Sequence, residues 1–221
     1  MRSLSFTICR RSFLVSSAVA IFGRRVVSQA AAAEDDDAVG DVFPLLACPV
    51  CETKLGGTDV IVREEDREFR VCDQQCLEDF QADFFSFVDA IDDQIKVEQR
   101  EVYPLKTCLV DGQPLEGKEP IDVVFRNRLF RVCCDDCWYK IQDEPAKYFA
   151  KLNEAVVKAQ KPTYPIETCI VSKKPLGNKA VDHICANMLV RLADEDQIKR
   201  FNESPGKYLE VLRELRKKGK Q

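Results

Sequence analysis

The stretch "FRVCCDDCWYKIQDEPAKY" (130–148) decides how this chain is read, because the chain writes it three times. An earlier version is "FRVCDQQCLEDFQADFFSF" (69–87). A later one is "VRLADEDQIKRFNESPGKY" (190–208), which has lost its cysteines. Each joins a strand-like run to a turn and then to a helix-like run. Working outward, each is preceded by a similar opening: "FPLLACPVCETKLGG" from 43, "YPLKTCLVDGQPLEG" from 103 and "YPIETCIVSKKPLGN" from 164, spaced 60 and 61 residues apart. Self-similarity at a fixed period is the signature of one small supersecondary unit used repeatedly.

Between opening and turn lie two short β-rich runs in every copy: "DVIV" and "EFRV", "IDVVF" and "LFRV", "VDHIC" and "MLVRL". They are joined by "REEDR", "RNR" and "AN", so each pair predicts a β-hairpin. The helical runs carry apolar residues at helical spacing. Phe84, Phe87, Val88, Ile91 and Ile95 share one face. So do Tyr148, Leu152, Ala155 and Val156, and then Tyr208, Leu212 and Leu215. These stripes read as core packing. Pro145 and Pro205 suit a first helical turn, where no amide donor is needed. The expected organisation is therefore three units at 43–102, 103–163 and 164–221, each a knuckle, a hairpin and a C-terminal helix. A unit of about 60 residues buries a small core and needs a staple, either metal or disulfide.

The first unit supplies Cys48, Cys51, Cys72 and Cys76, two close pairs separated by a hairpin length. The first pair sits on a tight knuckle. The second sits at a helix start, four residues apart and so on one side. A helix N-terminus favours negative charge, hence thiolates. Four thiolates so placed suit Zn2+, with copper or another soft heavy metal as the alternative. Two disulfides, which an exporting compartment permits, are the competing reading, and free thiols the third.

The spacing from Cys51 to Cys72 to Cys76, with a hairpin between and aromatics in the helix, resembles the TRASH domain. "CLVDGQPL" followed by a hairpin and "FRVCCDDCWYKIQDEPAKY" resembles the related YHS domain. The resemblance implies an α+β fold of three tandem small treble-clef-like zinc-binding units. It also implies a part in heavy-metal capture, sensing or trafficking.

The second unit departs from the pattern. Cys108, Cys133 and Cys137 are kept, but Asp111 stands where Cys51 stood, and Cys134 is an extra thiol. A metal there is expected to be held by three cysteines completed by Asp111 or Cys134. The third unit keeps Cys169 but has Ser172, Ala193 and Gln197 at the other ligand positions. It cannot make the same site. Cys185 and His183 lie on its hairpin, and an ordinary hairpin side chain is the plainer reading of His183. This unit is expected to serve packing, as a terminal repeat covering its neighbour.

Residues 1–33 hold five Arg and no acid, with a short apolar run. They read as a targeting segment, too short in its apolar part to span a bilayer. "RRSFL" (10–14) resembles a twin-arginine export signal, which implies a periplasmic or other extracytoplasmic location. General secretion and an organelle transit peptide are the alternatives. Without this segment the chain has 28 basic against 37 acidic residues, near −9, which argues against nucleic-acid binding. No transmembrane span is expected in the mature chain. With one His and nine Gly, no His-based triad or phosphate-cradling loop is available, so the chain does not read as an enzyme. Two functions compete: an exported metal-binding protein, or a structural-zinc scaffold whose partner is another protein.

Overall fold

A computed structural model describes residues 40–219 apart from Glu65 and Lys118. The export segment read at 1–33 lies outside them. Among the described residues the chain is α+β, with six α-helices and three two-stranded antiparallel hairpins. The order strand–strand–helix–helix occurs three times. The first segment has β1 (Val60–Glu64), β2 (Arg67–Val71), α1 (Gln74–Ala82) and α2 (Phe84–Arg100). The second has β3 (Ile121–Phe125), β4 (Arg128–Val132), α3 (Asp135–Asp143) and α4 (Pro145–Gln160). The third has β5 (Val181–Cys185), β6 (Met188–Leu192), α5 (Asp196–Glu203) and α6 (Pro205–Lys218).

The hairpins fall where the β-branched runs predict them. Their registers correspond: Val62 faces Phe69, Val123 faces Phe130 and His183 faces Val190. The second and third close through two-residue turns with both central residues at positive φ: Arg126 (50°) and Asn127 (67°), then Ala186 (52°) and Asn187 (57°). That conformation matches the right-handed twist of the strands.

One expectation needs refinement. Where a single helix was expected after each hairpin, there are two. Asp83, Glu144 and Ser204 leave the helical region, with φ between −129° and −149° and ψ between 49° and 63°. Pro145 and Pro205 then start the second helix at its first turn. Proline lacks the amide that an uninterrupted helix would need and clashes with the preceding turn.

Each segment has its own apolar cluster. Phe43, Phe69, Phe80, Ile91 and Ile95 centre the first, Phe130, Ile141, Phe149 and Leu152 the second, and Val190, Phe201, Leu209 and Leu212 the third. Between the clusters, buried polar contacts add to apolar ones such as Val124 on the first cluster and Val42 and Val102 on the third. Gln99, in the last turn of α2, donates to Asn127 O (2.9 Å) and accepts from the Leu129 amide (2.8 Å). Gln160, in the last turn of α4, does the same for Asn187 O (2.8 Å) and the Leu189 amide (2.9 Å). Each helix thereby caps the hairpin that follows it. Asn127 Nδ2 donates to Glu68 O (2.7 Å), and Asn187 Nδ2 donates to Leu129 O (2.8 Å), so each hairpin turn also hangs on the hairpin before it. The third segment reaches back to the first: Arg70 donates to Glu203 O (2.9 Å) and Asn202 O (2.6 Å) at the end of α5. No helix among the described residues is long and apolar enough to cross a membrane.

Candidate metal centres

Each hairpin is preceded by a tight knuckle closed by an isolated bridge: Ala47 with Lys54, Thr107 with Pro114 and Thr168 with Pro175. The cysteine amide at each knuckle donates across it, Cys48 to Thr53 O (2.8 Å), Cys108 to Gln113 O (2.7 Å) and Cys169 to Lys174 O (2.8 Å). The turn needs one left-handed residue, supplied by Glu52 (φ 60°), Gly112 (φ 76°) and Lys173 (φ 61°). The hairpin then returns the chain so that the start of the next helix faces the knuckle.

In the first segment this brings Cys48, Cys51, Cys72 and Cys76 together, their four sulfurs all within 4.8 Å of one another. Cys51 Sγ is 3.3 Å from Cys72 Sγ, and Cys72 Sγ is 3.4 Å from Cys76 Sγ. Four thiolates about 2.3 Å from a tetrahedral zinc lie roughly 3.8 Å apart, so the donor set fits such an ion with small adjustments. Cys48 and Cys76 are buried in the first apolar cluster, Cys72 is half-buried and Cys51 faces solvent.

In the second segment Cys108, Asp111, Cys133 and Cys137 converge in the same way, again within 4.8 Å. Cys133 Sγ lies 3.3 Å from Asp111 Oδ2 and 3.8 Å from Cys137 Sγ. Cys134 stands outside this group of four, solvent-exposed, with its sulfur 3.8 Å from that of Cys133. All ten cysteines among the described residues are free thiols.

The groups differ in proton affinity for local reasons. The Thr53 side chain and amide, and then Cys72, pull the Cys51 thiol down to about 6. Cys72, hydrogen-bonded to Cys51 and partly desolvated, is pushed up to about 12. Burial pushes Cys76 and Cys137 up, and Cys133 to about 12. The Gln113 amide, then the Cys108 and Cys133 thiols, hold the Asp111 carboxyl down at about 2. An ion bound here displaces thiol protons, so uptake is coupled to proton release.

The third segment repeats the scaffold without the donors. Cys169 is fully buried and its sulfur accepts from the Ser172 amide (3.4 Å). Gln197, at the position of Cys137, donates to Asp194 Oδ1 (3.1 Å). Cys169, His183 and Cys185 are not among the convergent groups. The His183 ring packs edge-on against Phe201 at 5.2 Å, and Cys185 is buried in the third cluster.

Sequence reading passed over Asp73 and Thr53. Asp73 caps α1, its Oδ1 accepting from the Cys76 amide (2.9 Å), while Oδ2 lies 3.5 Å from Cys72 Sγ. An Asp immediately before a helical run is a recognisable N-cap signal, worth about 1 kcal/mol. Nothing in the spacing singled out Thr53. Comparison of the chain with family models, with curated proteins and with solved structures finds no match.

Proposed function

We propose that this is an exported metal-binding protein of TRASH/YHS type, built from three treble-clef-like units, with Zn2+ or a soft heavy metal held in the first two. Its role is metal capture, sensing or trafficking outside the cytoplasm, without enzymatic activity. The observation that carries this reading is the convergence of Cys48, Cys51, Cys72 and Cys76, unbridged, within 4.8 Å. Four free thiols that close together repel as thiolates and are reconciled by a cation. The residues that would hold it are those four in the first unit, and Cys108, Asp111, Cys133 and Cys137 in the second. When bound, the ion supplies the cross-link between knuckle and helix that a core of this size lacks.

A second reading, a scaffold with structural zinc whose partner is another protein, is favoured by the burial of Cys48 and Cys76 in the first apolar cluster and of Cys108 and Cys137 in the second. The exposed Cys51 and Asp111 favour an ion that can leave.

Elemental analysis of the purified chain, with a thiol count under denaturing conditions, tests the proposal. Two equivalents of metal with reduced thiols, and one equivalent lost in Cys72→Ser, support it. Absence of metal with few free thiols sinks it. A modest chelator then separates the two readings: a carrier releases its ion while folded, and a structural site unfolds as the ion leaves.

A further inference from the structure

The two candidate centres contain the same five donors in exchanged positions. The first has Cys51 on its knuckle and Asp73 at the helix cap. The second has Asp111 on its knuckle and Cys134 at the helix cap. The carboxylate touches the same thiol in both, Asp73 Oδ2 at 3.5 Å from Cys72 Sγ and Asp111 Oδ2 at 3.3 Å from Cys133 Sγ. The exchange leaves α3 without the cap that Asp73 gives α1, since Cys134 makes no side-chain cap hydrogen bond. A capping Asp is worth about 1 kcal/mol at such a position, and Cys134 is the weaker cap.

We propose that Asp111 and Cys134 are alternative fourth ligands of the second centre. Asp111 closes it around a borderline ion such as Zn2+, and Cys134 displaces Asp111 when the ion is soft, such as Cd2+ or Cu+. This rests on the reading of Cys108, Cys133 and Cys137 as ligands.

Geometry places Asp111 inside the convergent group and Cys134 at its edge, beside the shared ligand Cys133. Cys133 Sγ has Asp111 Oδ2 at 3.3 Å, Cys137 Sγ at 3.8 Å and Cys134 Sγ at 3.8 Å, so Cys134 is as near to Cys133 as Cys137 is. Both exchangeable groups are exposed, whereas Cys108 and Cys137 are buried and fixed. Neither movement strands a partner. A released Asp111 keeps the Gln113 amide on its Oδ1 (3.0 Å) and the solvent on its other oxygen. If Cys134 turns away, the Cys137 amide that faces its thiol keeps the Cys134 carbonyl oxygen at 3.2 Å. Softness decides the outcome, because thiolate sulfur is preferred over carboxylate oxygen by soft ions and much less so by zinc. The exchange breaks one metal–oxygen bond, forms one metal–sulfur bond and passes the Cys134 thiol proton to solvent.

The full chain is titrated in parallel with Cd2+ and with Zn2+ against a competing chelator, and the thiolate-to-cadmium absorbance counts metal–sulfur bonds. We expect Cys134→Ser to weaken Cd2+ at the second centre by about tenfold or more and to remove one thiolate's share of the absorbance, while Zn2+ stays within about twofold. Asp111→Ala should do the reverse, weakening Zn2+ and sparing Cd2+. Cys134→Asp restores the cap that Asp73 provides, so it guards against a folding defect and should repeat the Cys134→Ser result. Cys134 variants that leave Cd2+ binding and absorbance unchanged, or that weaken both ions alike, overturn the exchange alone if the unaltered chain still takes up two ions. An unaltered chain that takes up only one ion overturns the reading of the second centre and the exchange with it.

Discussion

Asp41 and Arg128 form an ion pair buried between all three segments. Asp41 Oδ2 accepts from Arg128 Nε (2.8 Å) and from the Ala186 amide (2.7 Å), while Oδ1 accepts from Arg128 Nη2. The side chains are 3% and 2% exposed. Arg128 also donates to Asn153 Oδ1 and to Ile184 O (3.3 Å). Residues leading into the first knuckle are thus tied to β4, to α4 and to the third hairpin turn. Removing one partner from such a pair leaves a desolvated charge. Asp41→Ala should therefore cost about 3–5 kcal/mol, read by denaturant unfolding. Asp41→Leu combined with Arg128→Met removes both charges but still strands the Ala186 amide, so it should recover part of that loss; a double variant as weak as the single one would mean that the stranded charge is not the main cost.

The Gln99 side chain answers for three buried groups at once. It bonds Asn127 O and the Leu129 amide, and its Oε1 also accepts from Asn187 Nδ2 (3.1 Å). Gln99→Leu keeps the volume but takes the side-chain partner from Asn127 O and the Leu129 amide at roughly 1–3 kcal/mol each, while Asn187 Nδ2 keeps its bond to Leu129 O. The expected result is a large drop in thermal midpoint, although Gln99 lies in the last turn of a helix where Leu is intrinsically favoured. A neutral outcome would show that the hairpin turns are held by packing instead.

Gly206, in the first turn of α6, sits against the knuckle of the first segment. A Cβ there would stand 2.4 Å from Leu45 O and 2.6 Å from its carbonyl carbon. Alanine is favoured over glycine in a helix by about 1 kcal/mol, but here it meets backbone that cannot step aside. Gly206→Ala should destabilise by about 1–3 kcal/mol. A variant more stable than the parent in urea would mean that α6 and the knuckle are loosely docked.

His183 is the chain's one histidine, so its resonances identify themselves. Burial against Phe201 lowers its pKa below 6.5, with Arg128 adding to the lowering and Asp41 opposing it. The folded state therefore favours the neutral ring. The stability this supplies is complete above about pH 6.5 and declines as pH falls toward the lowered folded value. An NMR titration should give a midpoint below 6.5, and His183→Gln should flatten the stability profile between pH 7 and 5. A midpoint above 6.5 would mean the Asp41 charge outweighs burial.

The hairpins, the apolar helix faces and the convergence of the first four cysteines were readable because each depends on local sequence. Strand pairing across a turn of two or so residues, helical periodicity and the knuckle-to-helix spacing all act within about 25 residues, as between Cys51 and Cys76. The break of each long helix into two was half readable. Pro145 and Pro205 marked it in two segments, but Asp83 marks it in the first with no proline to announce it.

How the segments join was decided by the tertiary structure alone. Gln99, Gln160, Asn127 and Asn187 look like surface residues in sequence, since amides at helix ends and in turns are usually solvated. Their partners lie 27 to 88 positions away, and only once the three hairpins come together does each buried backbone group find its amide. Asp41 and Arg70 are of the same kind: an acid before a knuckle and a base on a strand become buried because their carbonyl and charge partners arrive from other segments. The sequence by itself determined three small scaffolds and the thiols that could hold metal in two of them. The fold decided that Asp111, and not Cys134, completes the group of donors that converges with Cys108, Cys133 and Cys137, because the knuckle turn aims a side chain inward where the helix cap leaves one at the rim.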